Sequence, residues 1–193
     1  MTNANTLLTT AILPDPKSPA PTPASTMSPN HDDEQSTVIP TSDPPLFPST
    51  LVSPEVIAAI PTDYTIRPIR RSDYNRGYLD VLRVLTTVGE ISAEQWDARY
   101  DWISSRADEY YLLVVCDGAD RVVGTGSLIV ERKFIHGLGL VGHIEDIAVE
   151  KGQQGKKLGL RIIQALDYVA ANVGCYKVCI SLFSFGGEEV LTG

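Results

Sequence analysis

The residues best placed to do chemistry lie in one stretch, Gln153-Gln154-Gly155-Lys156-Lys157-Leu158-Gly159, between a strand-like segment and a long amphipathic run. A strand that turns through glycine into a helix points free backbone N–H groups at one spot. The positive end of the helix dipole stands behind them, and the result is an anion site suited to phosphate. Lys156 and Lys157 sharpen this reading. Cations in a first helical turn are disfavoured by about 0.3–1 kcal/mol each, which makes better sense beneath a polyanion than in a bare turn whose lysines point away. The nucleotide pattern G-x-x-x-x-G-K-[ST] is absent, because Gly155 and Gly159 are too close and no Ser or Thr follows a Lys.

Upstream, Gly142-His143-Ile144-Glu145-Asp146-Ile147-Ala148-Val149 sets two carboxylates in a segment that otherwise reads as a strand, where acidic residues are depleted. Successive strand side chains point to opposite faces, so at most one of Glu145 and Asp146 is expected on the core side. Two readings stand: Asp146 is a solvated strand-end residue, or the strand is splayed and its backbone opens to a ligand. Lys133-Phe134-Ile135-His136 supplies a basic pair for an anionic substrate or a solvated turn. Tyr176-Lys177 is a weak candidate, His143 reads as a satisfied histidine, and Trp96 and Trp102 read as packing residues. Arg67, Arg70 and Arg71 form a cationic patch or a solvated strand face. No Ser-His-Asp or Cys-His set is legible.

The elements that must position these residues alternate in type. Residues 64–70 alternate as a strand, and Ser72 or Asp73 caps a helix carrying Tyr74, Tyr78, Leu79, Leu82 and Leu85 up to Gly89. A second helix is expected over 92–109. Strands follow at 110–117 and 121–133, joined by a hairpin turn at Gly118–Asp120, with another ending at Glu150. A helix spans 158–174 and a last strand 176–183. The order β-α-α-β-β-β-α-β describes one α/β (α+β) domain on a mixed sheet.

Of 13 prolines, ten lie in residues 1–50, which contain no glycine, fifteen Ser and Thr, one lysine and five acidic residues. Such chain buries too little apolar surface to offset its ordering entropy. Residues 1–46 are therefore expected to be a disordered tail and 47–193 the domain, with Phe47–Ile60 as a lead-in that packs on it. The net charge of −8 argues against a nucleic-acid binder. Three scattered cysteines, Cys116, Cys175 and Cys179, suggest reduced thiols in a cytoplasmic protein, with no metal site. The first twenty residues lack a basic signal region, and no apolar run reaches membrane-span length.

A strand, a Gln-x-x-x-x-Gly loop and a long helix resemble the acetyl-CoA pyrophosphate motif of the GNAT acyltransferase superfamily. With residues 85–89 (LTTVG), 131–136 (ERKFIH), 142–149 (GHIEDIAV), 154–159 (QGKKLG) and 174–177 (GCYK), the chain resembles the fungal glucosamine-6-phosphate N-acetyltransferases from about Phe47 to Lys177. The resemblance implies a GNAT fold with a mixed, mostly antiparallel sheet flanked by helices. It implies acetyl transfer from acetyl-CoA to glucosamine 6-phosphate, on the route to UDP-N-acetylglucosamine, by a homodimer without a metal. Ile147, Ala148 and Val149 would pair with the pantetheine arm, and Gln154, Gly155, Lys156, Lys157, Leu158 and Gly159 would cradle the pyrophosphate. Thr86, Lys133, Phe134, Ile135, His136, Glu145 and Asp146 would line the sugar-phosphate pocket, with Tyr176 and Lys177 near the dimer partner. Glu145 and Asp146 would be the catalytic pair, the backbone N–H near Asp146 polarising the thioester carbonyl. Lys157 stands where most such loops have a second glycine. After Val178 the likeness stops: Ser181 falls where a sugar-binding Asp is expected, and the last helix and strands of the family have no counterpart. The alternatives are therefore a chain that only binds acetyl-CoA or dimerises, as an inactive isoform or truncated gene model, and a GNAT enzyme for another amine.

Overall fold

The computed structural model describes residues 43–180. After a short 3-10 turn at Ser49–Leu51 come α1 (Pro54–Ala59), β1 (Thr65–Pro68), a 3-10 turn at Arg71–Arg76, α2 (Tyr78–Leu82) and α3 (Ala93–Ser104). Then follow β2 (Tyr110–Cys116), β3 (Val122–Arg132), the single turn α4 (Ile135–Leu138), β4 (Leu140–Val149), a 3-10 turn at Lys151–Gln153, α5 (Leu158–Asn172) and β5 (Cys175–Ile180). The strands lie in the order β1-β2-β3-β4-β5. The first four are antiparallel and β5 runs parallel to β4. The expected mixed, mostly antiparallel sheet is therefore present. The expectations for the tail before Asp43 and for the chain ending after Ile180 lie outside the described residues.

Each layer follows from the alternation of side chains along the strands. A Cβ built on Gly126 of β3 would meet Ile162 and Leu166 of α5, so this face belongs to α5. Its neighbour Ser127 lines a cavity with Tyr78 and Leu79 of α2 and Trp96 of α3, so the opposite face belongs to those helices. Leu113, Val114, Val115, Leu128, Ile144, Ile162 and Leu166 are fully buried between the layers. The helix α5 owes its length to a continuous apolar face at Leu158, Ile162, Ala165, Leu166 and Val169. Ser92 and Gln95 cap α3 reciprocally, Gln95 N–H donating to Ser92 Oγ at 3.3 Å and Ser92 N–H to Gln95 Oε1 at 2.9 Å.

The lead-in packs as expected and begins slightly earlier. Leu46 and Phe47 are buried, Leu46 N–H donates to Ile69 O at 2.9 Å, and the Phe47 ring meets Tyr111 edge-on at 5.2 Å.

Three expectations are corrected. The helix expected from Ser72 to Gly89 is broken at Gly77, whose φ of 92° no right-handed helix accommodates. Arg67 belongs to no cationic patch: its guanidinium binds the fully buried Asp73 carboxylate through both nitrogens, at 2.8 and 2.9 Å. Asp73 also accepts from Arg70 N–H at 2.7 Å, pinning the turn that leads into α2. Trp96 is a core residue, whereas Trp102 is 44% exposed beneath the Arg106 guanidinium and beside Tyr110.

Candidate active site

The centre of the site is a bulge in β4. Ser127 pairs with Glu145 and Thr125 with Ala148, so Asp146 and Ile147 together oppose Gly126 alone. Asp146 absorbs the extra residue with a left-handed φ of 55°, a conformation aspartate tolerates better than most residues. The expectation that the two carboxylates face opposite ways fails here. Glu145 stands opposite Ser127 on the α2–α3 face, and Asp146 lines the cavity on that same face. Ile147 keeps the α5 side, because a Cβ on Gly126 would lie 2.5 Å from its Cδ1. Ser127 Oγ donates to Glu145 O at 3.1 Å and steadies the strand just before the bulge.

Among the described residues, β4 pairs with β5 only as far as Ile144 against Ile180. Ile147, Ala148 and Val149 lie immediately beyond this ladder and lead into the loop. That loop starts α5: Gly155 has φ 83° and Lys157 φ 61° at the N-cap. A Cβ on Gly155 would meet nothing within 4 Å, so the ground above the loop is open. A Cβ on Gly159 would lie 3.7 Å from Val149 and 3.9 Å from Ile147, which places the helix start against the end of β4. The first N–H groups of α5 have no intrahelical acceptors. Gln154 Nε2 donates to Val149 O at 3.4 Å. The Lys156 amine turns back to Tyr64 and Gln153, while Lys157 is exposed. Backbone donors, dipole and cations therefore coincide, and the residues present fit an anionic group such as a pyrophosphate.

From the bulge a charged strip runs along the α2–α3 face. His143 lies two residues before Glu145, and its Nε2 is 3.0 Å from Glu131 Oε2 on β3. Glu131 also binds Lys133, and the hydrogen bonds from Lys133 first and His143 second hold its carboxyl below the usual range. Glu145 and Asp146 thus stand at the bulge end, and the paired Glu131 and Lys133 at the turn end. The turn itself exposes Phe134, Ile135 and Leu138, and His136 adopts φ 53° with its ring 4.2 Å from that of Tyr176 on β5. Lys177 is exposed on the same strand. Thr86 is exposed in the loop that follows α2, and α2 packs on β3 and β4.

Beside the bulge, a cavity of about 260 Å³ is walled mainly by Leu79, Leu82, Trp96, Tyr100 and Ile129. Tyr78 lines it too, with its hydroxyl pushed up to about 12, chiefly by burial. A hydrogen bond with Thr125 opposes that shift, and the Asp146 and Asp73 charges add to it. Tyr78, Ser127, Glu131 and Tyr64 were not legible as site residues. The first three are ordinary helix or strand residues, recruited only by packing on or pairing across the sheet, and Tyr64 is recruited by the entry to β1.

Residues 65–184 match the acetyltransferase (GNAT) family, and the chain belongs to it. Solved structures agree in fold. The crystal structure of glucosamine-6-phosphate N-acetyltransferase from Arabidopsis thaliana aligns with a TM-score of 0.61 at 32% identity, covering 62% of this chain and 82% of that one. Within the family the chain groups with the glucosamine 6-phosphate N-acetyltransferases. The enzyme of that name from Candida albicans is 47% identical over 121 residues, 63% of this chain and 81% of its own length. That from Dictyostelium discoideum is 39% identical over 117 residues, 60% and 74% of the two chains.

Proposed function

We propose that the chain transfers the acetyl group of acetyl-CoA to the amine of glucosamine 6-phosphate, giving N-acetylglucosamine 6-phosphate for UDP-N-acetylglucosamine synthesis. The observation that carries this reading is the bulge at Asp146, which joins an anion cradle on one side to a charged strip on the other. Gln154–Gly159 hold the pyrophosphate, with Lys156 and Lys157 supplying charge. Backbone groups of Ile147, Ala148 and Val149 pair with the pantetheine arm, which brings the thioester to the bulge.

The strip matches an amino-sugar phosphate end to end. Glu145 and Asp146 receive the ammonium, while Lys133 and His136, with Thr86 across the face, receive the phosphate. Phe134 and Ile135 enclose that end. At the bulge a carboxylate draws off the ammonium proton, and the freed amine attacks the thioester carbonyl carbon. A backbone N–H near Asp146 faces the carbonyl oxygen as it gains negative charge. The nitrogen then sheds a second proton as the C–S bond breaks, the amide remains on the sugar, and the leaving thiolate takes up that proton. Most of the acceleration comes from orientation, since no covalent enzyme intermediate is needed.

The acting unit is a homodimer. Phe134 (95% exposed), Ile135, Leu138 and Tyr176 present apolar surface at one end of the sheet, which suits a second copy of the chain. Tyr176 and Lys177 then border the partner's site. The setting is cytoplasmic, in keeping with three free cysteines. A second reading, acetyl-CoA binding without sugar turnover, is favoured by Ser181 in place of the family's sugar-binding Asp. A Lys133→Ala variant discriminates among the readings when coenzyme A release is followed with different acceptors. Its KM for glucosamine 6-phosphate should rise about tenfold or more, with that for unphosphorylated glucosamine unchanged. Equal use of both sugars by the parent chain would favour an enzyme for another amine, and binding without release would favour the second reading.

A further inference from the structure

We infer that Tyr64 and Gln153 form a neutral clamp that holds the Lys156 ammonium in readiness for an anion at the start of α5. The inference rests on reading Gln154–Gly159 as the pyrophosphate cradle. Tyr64 sits at the entry to β1, its own N–H donating to Pro61 O at 2.9 Å, and meets the loop from 89 residues away in sequence. Its hydroxyl donates to Gln153 Oε1 at 2.7 Å. The Lys156 amine donates to the same Oε1 at 2.6 Å and to Tyr64 Oη at 2.5 Å, while standing 5.1 Å from the centre of the Tyr64 ring.

Two consequences follow from this ring of three side chains. An ammonium has three donors, and the clamp uses two, so one remains to reach a phosphate oxygen. Both partners are neutral, so the positive charge is not cancelled as it would be by a carboxylate. A free lysine gives up its rotamer freedom when it binds a ligand. Here that freedom is already lost before the ligand arrives, and binding is tighter for it. Tyr64 and Gln153 are thus positioning residues, acting on the cofactor only through Lys156.

The test is a double-mutant cycle on the full chain, with coenzyme A titrated calorimetrically at low and high salt. Lys156→Met should weaken binding about tenfold at low salt and less at high salt. Tyr64→Phe, which keeps the ring, should weaken it about threefold, and Gln153→Leu by a similar factor. Neither should have any effect once Lys156 is Met. Equal losses in both backgrounds, or tighter binding by Tyr64→Phe, would overturn the clamp. Gly155→Val separates the two layers of the argument. If it weakens binding while Lys156→Met does not, the clamp alone falls. If neither variant changes the affinity, the cradle reading falls and takes the clamp with it.

Discussion

Lys157 holds a left-handed backbone at the N-cap of α5, a conformation that costs a residue with a Cβ about 1–2 kcal/mol. Relieving it with Lys157→Gly should raise stability by about 0.5 kcal/mol in urea unfolding, the gain being trimmed by the greater freedom of glycine in the unfolded chain. An unchanged or lower midpoint would mean that the lysine side chain repays its strain locally. Tyr78 gives a pH-dependent counterpart. Burial lifts its hydroxyl to about 12, against about 10 in an unfolded chain. Between those values the folded protein keeps a proton that the unfolded chain has released. The stability contributed by Tyr78 is therefore complete below pH 10 and is lost as pH rises toward 12. Tyr100, likewise raised to about 12 mainly by burial, adds to the same loss. Melting temperatures from pH 9 upward should fall less steeply in Tyr78→Phe than in the parent, and parallel curves would exclude this origin.

At the scale of elements, Gly126 ties the sheet to α5 and to the bulge together. A Cβ there would lie 2.5 Å from both Ile147 Cδ1 and Ile162 Cγ2. Gly126→Ala should cost about 1–3 kcal/mol by overpacking and, by moving Ile147, should also weaken acetyl-CoA binding. A variant that loses stability but keeps full affinity would show that the bulge does not depend on this contact. The same elements explain what could be read from sequence. Apolar periodicity marks β2, β3, β4 and α5 to within a few residues, because burial dictates side-chain type. The Gln-x-x-x-x-Gly loop is legible because its glycine and lysines conflict with an ordinary helix start. The bulge is not, since one extra residue in β4 appears only when the strand is laid against β3, where Thr125 and Ser127 skip from Ala148 to Glu145. The break at Gly77 and the burial of Arg67 on Asp73 were hidden for a related reason. Both depend on where the chain turns between β1 and α2, which periodicity does not record.

For the whole molecule, Phe134, Ile135 and Leu138 form an exposed apolar end, the surface on which the proposed homodimer rests. Sedimentation of the full chain at micromolar concentration should show two-chain particles, and Phe134→Glu should shift them toward single chains. A parent chain that sediments alone would remove the second copy from the site. Beyond assembly, on the reading proposed above the cradle at α5, the bulge at Asp146 and the strip that runs to Lys133 together bring a thioester and an amino-sugar phosphate into contact. Incubating the purified chain with acetyl-CoA and glucosamine 6-phosphate, and following the sugar by proton NMR, tests this directly. An acetamido methyl signal on the sugar nitrogen should grow in step with coenzyme A release, and the ring hydroxyls should stay unmodified. Coenzyme A release without that signal, or no acetylated sugar from a chain that demonstrably binds both substrates, would contradict it.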